Sequence, residues 1–208
     1  MNLKTTTYGV FIIESLRHDD YFDGENLDKI LELSKIDSIY REVISKPDLK
    51  KALIEFKNSN YRYLYLSCHA NSNGIEINGE DISNFEFQAL IVTLEDRRLF
   101  MSVCKGGNRK IARLLINRSK ILSLIGFPLD LDQDQAAIFW PAFFFVMKGI
   151  DGKKMDRKNI TTTLKKLVDL FGVPINYYSK INTHPMLMRR LKIRQNKKTE
   201  NTRIRISS

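Results

Sequence analysis

Cysteine is nearly absent. The 208 residues hold two, Cys68 and Cys104, and neither belongs to a C-x-x-C pair. A thiolate zinc site is therefore not expected, nor any other metal or cofactor. One disulfide between the two stays open, but so few thiols read as a reducing, cytoplasmic setting. Ten glycines and five prolines are too few for a collagen-like or proline-rich disordered chain. Long apolar runs are missing as well. The longest, Ala136–Met147, is twelve residues, and a membrane span needs about 18, so a soluble protein without a membrane partner is expected. Residues 1–7 carry no apolar run leading to a small-residue cleavage site, so no secretory signal is expected.

Acid is scarce toward the C-terminus. The net charge is +10. From His184 to Ser208, eight Lys and Arg face the single Glu200, which puts +7 in that stretch and +3 in the rest. The expected organisation is one α/β domain over residues 1–187 and a basic, flexible tail over 188–208. Such a tail binds nucleic acid or an acidic partner, or is simply a solvated terminus.

The apolar pattern alternates between the two periods. Residues 7–16 (TYGVFIIESL) form an expected buried strand, and 26–36 a helix with acids in its first turn. A short strand over 38–44 precedes a helix capped by Ser45 with Pro47 in its first turn. Residues 61–67 (YRYLYLS) are the third strand, closed by Cys68 and His69. A hairpin over 74–82 turns at Asn78-Gly79. A helix over 85–94, a strand over 98–103, a basic amphipathic helix over 108–117 and a strand over 121–127 follow. An apolar helix capped by Asp132 or Asp134 runs to Met147, and Pro141 either kinks it or starts a second one. A helix over 158–171 and a strand over 174–180 complete the pattern. This alternation predicts an α/β fold with a mostly parallel sheet covered on both faces.

In such a sheet, ligands collect at the carboxyl ends of the strands. His69 ends the third predicted strand and Cys104 the fourth. On neighbouring strands about 4.8 Å apart, imidazole and thiol at matching depth make a base–nucleophile pair. Gly106 and Gly107 follow Cys104, allowing a tight turn and close backbone approach to a ligand at a helix start. The backbone N–H groups of Ala70 and Cys104 are the expected oxyanion donors. Cys68 should point to the opposite face. His18 and His184 compete for the role of His69.

These residues resemble the caspase-like cysteine peptidases, which include caspases, metacaspases, gingipain-like and CHAT-type proteases. The resemblance rests on a His at a strand end, then a hairpin and a helix, then a Cys at the next strand end. Val103-Cys104-Lys105-Gly106 is similar to the caspase Ala-Cys-Arg-Gly run, and Asp23-Gly24-Glu25-Asn26-Leu27 to the acidic start of the first caspase helix. It covers about residues 7–180 and implies a three-layer sandwich with a hairpin inserted after the third strand. It also implies a His69/Cys104 endopeptidase acting on protein or peptide substrates. The implied role is a stress, immune or antiviral defence effector controlled by a partner, a small ligand or self-cleavage. The chain departs from the pattern at Ala70, where the family has Gly, and at Ser102, where metacaspases have Asp. For substrate binding, Arg17 is either the cation for an acidic P1 side chain or a surface cation. Asp130, Asp132 and Asp134 either cap the next helix or line a pocket for a basic P1 side chain. Two other functions compete: a catalytically silent protein-binding module, consistent with Ala70, and nucleic-acid binding through the tail.

Overall fold

The computed structural model describes residues 6–71, 73–103, 105–130, 132–151, 156–181 and 187–195. Five parallel strands form the centre of the sheet. They are β1 (Thr7–Ser15), β2 (Ser38–Glu42), β3 (Tyr61–Ala70), β6 (Arg98–Ser102) and β7 (Ser123–Gly126), in the order β2-β1-β3-β6-β7. Two antiparallel strands, β8 (Ile175–Lys180) and β9 (Met188–Ile193), extend it beyond β7. The hairpin of β4 (Gly74–Ile77) and β5 (Glu80–Ser83) hangs from the end of β3 through the pairs His69–Glu76 and Ala70–Ile75.

Strand alternation sorts the core into two layers. Val10, Ile12, Tyr63, Tyr65 and Phe100 face one cluster. It is closed by α1 (Asp23–Leu33), α5 (Gln133–Asp151) and α6 (Arg157–Phe171). Phe11, Ile13, Leu64, Leu66 and Met101 face the other. That one is closed by α2 (Lys46–Ser59), α3 (Asn84–Ile91) and α4 (Arg109–Arg118). The expected three-layer α/β sandwich, with a mostly parallel sheet and a hairpin after the third strand, is the fold found. No helix among the described residues is long and apolar enough to cross a membrane.

Two elements, α1 and β9, differ from their expected form, and the choice left open at Pro141 is resolved. Helix α1 begins at Asp23, three residues before the expected Asn26, because the buried Glu14 carboxylate caps it. Glu14 Oε1 accepts from Gly24 N–H at 2.7 Å and Oε2 from Glu25 N–H at 3.0 Å, while Phe22 at the N-cap offers no side-chain bond. Pro141 lies inside the single helix α5, so of the two expected alternatives no second helix starts there. The carbonyl it strips of a donor, that of Ala137, lies 3.4 Å from Asn26 Nδ2.

The boundary expected at residue 188 falls inside the sheet. Residues 188–193 form β9, paired along its whole length with β8, and bury Ile193. The charges of Arg189, Arg190 and Lys192 masked an edge strand, a position where exposed cations are ordinary. Residues 196–208 of the expected tail lie outside the described residues.

Candidate active site

The register of β3 and β6 pairs Ser67 with Ser102 at the carboxyl end of the sheet. A pocket opens there, lined by Leu16, Tyr21, Asp23, His69, Phe127 and Ala136. His69 stands at its mouth with its side chain 38% exposed. Cys104, the expected nucleophile, and His184, one of the two competitors of His69, lie outside the described residues.

The His69 ring is held from one side. Its Nε2 lies 2.7 Å from Asp20 Oδ2. The same Asp20 oxygen accepts from the main-chain N–H of Arg17 at 2.9 Å, and Oδ1 accepts from Gln133 Nε2 at 3.2 Å. Burial pulls the Asp20 pKa up, but these donors and the His69 ring outweigh it and hold the carboxyl below its usual range. An ionised carboxylate only accepts, so Nε2 is the ring nitrogen that carries a proton toward Asp20. In a neutral ring so held, Nδ1 is the nitrogen that can act as a base. Sequence reasoning missed Asp20. Its one available signal was the Arg17-to-Asp20 turn directly after β1, at the same sheet edge as His69.

Asp23 is the second residue missed. It is 6% exposed and lies at the first turn of α1, where the Glu14 cap sets it under the ends of β3 and β6. Its carboxylate accepts from the hydroxyls of Tyr65, Ser67 and Ser102, the last at 2.6 Å. All three are neutral donors. Two carboxylate oxygens offer about four acceptor sites, so capacity remains toward the pocket. Ser102, where metacaspases carry Asp, thus holds an acid supplied by α1.

The other expected site residues stand elsewhere. Arg17 ion-pairs with Glu76 of β4 at 2.8 Å, and its side chain is 62% exposed. Asp130 ion-pairs with Lys105 at 2.8 Å on the surface. Asp132 is exposed, and its carbonyl accepts from the first N–H groups of α5. None of the three lines the pocket; Arg17 and Asp130 are drawn off by nearer partners, and Asp132 faces solvent. His18 is fully exposed beside Asp19 at 3.3 Å, outside the pocket. Cys68 borders the pocket, but its side chain packs in the opposite cluster with Leu66 and Met101, and burial pushes its thiol pKa up.

Ala70 lies across from Ile75 in the β3–β4 ladder, with a backbone that Ala adopts as readily as Gly. The two glycines serve packing. A Cβ on Gly107 would meet the Gly126 carbonyl at 2.1 Å, and one on Gly106 the Val103 side chain at 2.2 Å. Close backbone approach is therefore required, but toward β7 and β6. Gly107 N–H donates to the Phe127 carbonyl at 2.7 Å, and the Gly107 carbonyl accepts from Asn176 Nδ2 at 2.6 Å and Tyr178 OH at 3.0 Å. The turn at residues 105–107 is thus anchored through Gly107 to the segment after β7 and to β8.

A protease of known structure has this fold. The chain is similar to the inactive zymogen of a C11 protease from Parabacteroides distasonis, with a TM-score of 0.57 and 10% sequence identity. The match covers 84% of this chain and 62% of that protein's length, so this chain spans under two thirds of it. At that identity the likeness is one of fold. No family model and no curated protein matches the sequence.

Proposed function

We propose that this chain is a cysteine endopeptidase of the caspase-like type, with His69 as base, Cys104 as nucleophile and a preference for a basic side chain before the cleaved bond. The observation that carries the reading is His69. It sits at the mouth of an acid-floored pocket at the carboxyl edge of the sheet, with a carboxylate on Nε2. In sequence, His69 and Cys104 each lie two residues past the paired Ser67 and Ser102. The fold shared with a C11 protease zymogen supports the same reading.

In the proposed reaction the Cys104 proton passes to His69 Nδ1, and sulfur attacks the carbonyl carbon. The backbone N–H groups of Ala70 and Cys104 receive the oxyanion. The imidazolium returns its proton to the leaving amine, and water hydrolyses the thioester. Asp20 holds the ring and stabilises its charged form. Asp23 attracts the Lys or Arg side chain that fills the pocket, between the apolar walls of Leu16, Tyr21 and Phe127. The setting, a cytoplasmic effector of stress or antiviral defence held in check by a partner or ligand, is taken from the sequence resemblance.

A panel of fluorogenic peptides differing only before the cleaved bond tests the reading. Arg or Lys should be preferred over Asp and Leu. No cleavage of any peptide above the Cys104→Ala background, with the purified chain active by thiol-probe labelling, would overturn it.

A further inference from the structure

Helix α4 has a second face. Ile111, Ala112, Leu115 and Ile116 are buried against the sheet, which turns Arg109, Lys110, Arg113 and Arg118 outward. Between this face and α3 lies a groove of about 960 Å³, against about 80 Å³ for the pocket below His69. A space of that size takes a chain segment rather than one side chain. Helix α4 has ten residues, a length of about 15 Å or three turns.

The lining is specific in its chemistry. Leu114 forms the floor, and Phe85 and Leu187, 63% and 52% exposed, are walls. Among the described residues, four cations line it and no carboxylate does. At one end Lys110 Nζ lies 3.2 Å from Asn73 Oδ1 in the turn after β3. At the other end the Arg118 guanidinium sits over the Phe85 ring at 5.9 Å.

We infer that this groove docks an acidic, amphipathic segment of a protein partner, one that sets Asp or Glu beside large apolar side chains. Apolar floor and walls flanked by arginines match such a segment in both respects. A single-stranded nucleic acid needs free aromatic faces for its bases. Among the described lining residues Phe85 is the one aromatic ring, too few to stack successive bases. The inference stands apart from the peptidase reading, because it uses none of that site's residues.

The test uses the full chain with Cys104→Ala, so that no turnover consumes the probe. Fluorescence anisotropy is read with a labelled Glu/Leu amphipathic peptide of about sixteen residues. Parallel titrations use the same peptide with Lys in place of Glu, and an oligothymidine. The Glu/Leu peptide should bind most tightly, and less so as salt rises. Arg109→Glu with Arg113→Glu should weaken it about tenfold or more, and Phe85→Ala several-fold, with melting temperature unchanged because all three side chains are exposed. No binding of the Glu/Leu peptide, equal binding of the Lys/Leu peptide, tighter binding of oligothymidine, or indifference to charge reversal would each overturn the inference.

Discussion

His69 Nε2 and Asp20 Oδ2 lie 2.7 Å apart, and Asp20 is itself held by the Arg17 N–H and by Gln133 from α5. The histidine is therefore oriented by a carboxylate whose own position depends on the loop after β1 and on the start of α5. Asp20→Asn keeps the shape and removes the charge that favours the imidazolium. It should lower kcat by about 10- to 100-fold and leave KM within about twofold. A steady-state series on one peptide checks this; a change in KM alone would assign Asp20 to substrate binding instead.

Asp23 supplies the floor of the pocket through the hydroxyls of Tyr65, Ser67 and Ser102. Asp23→Asn should cut kcat/KM for Arg and Lys peptides by about 100-fold, the order of one buried charge-assisted bond. Peptides with a neutral residue at that position should change little. An equal loss on both peptide classes would point to damage in the packing of α1.

Glu14 links pH to stability. Burial, outweighing the bonds from Gly24, Tyr40 and Glu25, pushes its pKa up from 4.5 to about 7. The folded state therefore holds the proton more tightly than the unfolded chain. Its stabilising contribution is complete below pH 4.5 and is lost as pH rises through about 7. A shift of that size corresponds to roughly 3 kcal/mol. Glu14→Gln should flatten the fall in melting temperature over this range. It should also cost about 1 kcal/mol at low pH, because an amide cannot accept from both Gly24 and Glu25. An unchanged pH slope in the variant would refute the assignment.

Removal of residues 188–208 takes β9 with it. The cost includes a ladder of six residue pairs and the burial of Ile193. The melting temperature should fall by at least about 5 °C, corresponding to roughly 2 kcal/mol for a chain of this size. Thermal melts of the truncated chain check it; a loss under about 1 °C would show that β9 contributes nothing to the body.

The architecture was legible where the period was local. The alternation of YRYLYLS and the amphipathic pattern of α4 depend only on neighbours in sequence, and they gave the strands, the helices and the inserted hairpin. The start of α1 was not legible, because its cap is Glu14, ten residues upstream on a strand that reads as apolar. Strand β9 was hidden by its cations, which suit a sheet edge as well as a free tail. At the candidate site, His69 was legible from its place at a strand end. Asp20 and Asp23 were not. A carboxylate in a loop or a first helical turn has the same sequence signature whether it faces water or a histidine. Arg17, Asp130 and Asp132 show the converse, since the right residue types at the right edge are taken by surface partners or face solvent.

The central claim is that Cys104, activated by His69, is the nucleophile. Labelling by a peptide chloromethyl ketone ending in lysine, followed by intact mass and peptide mapping, tests it most directly. One adduct is expected, on Cys104, in the wild type and in Cys68→Ala. Cys104→Ala should show no adduct, and labelling of His69→Ala should be slowed by about 100-fold or more. Labelling of Cys104→Ala at the wild-type rate, or of His69→Ala as fast as wild type, would contradict it.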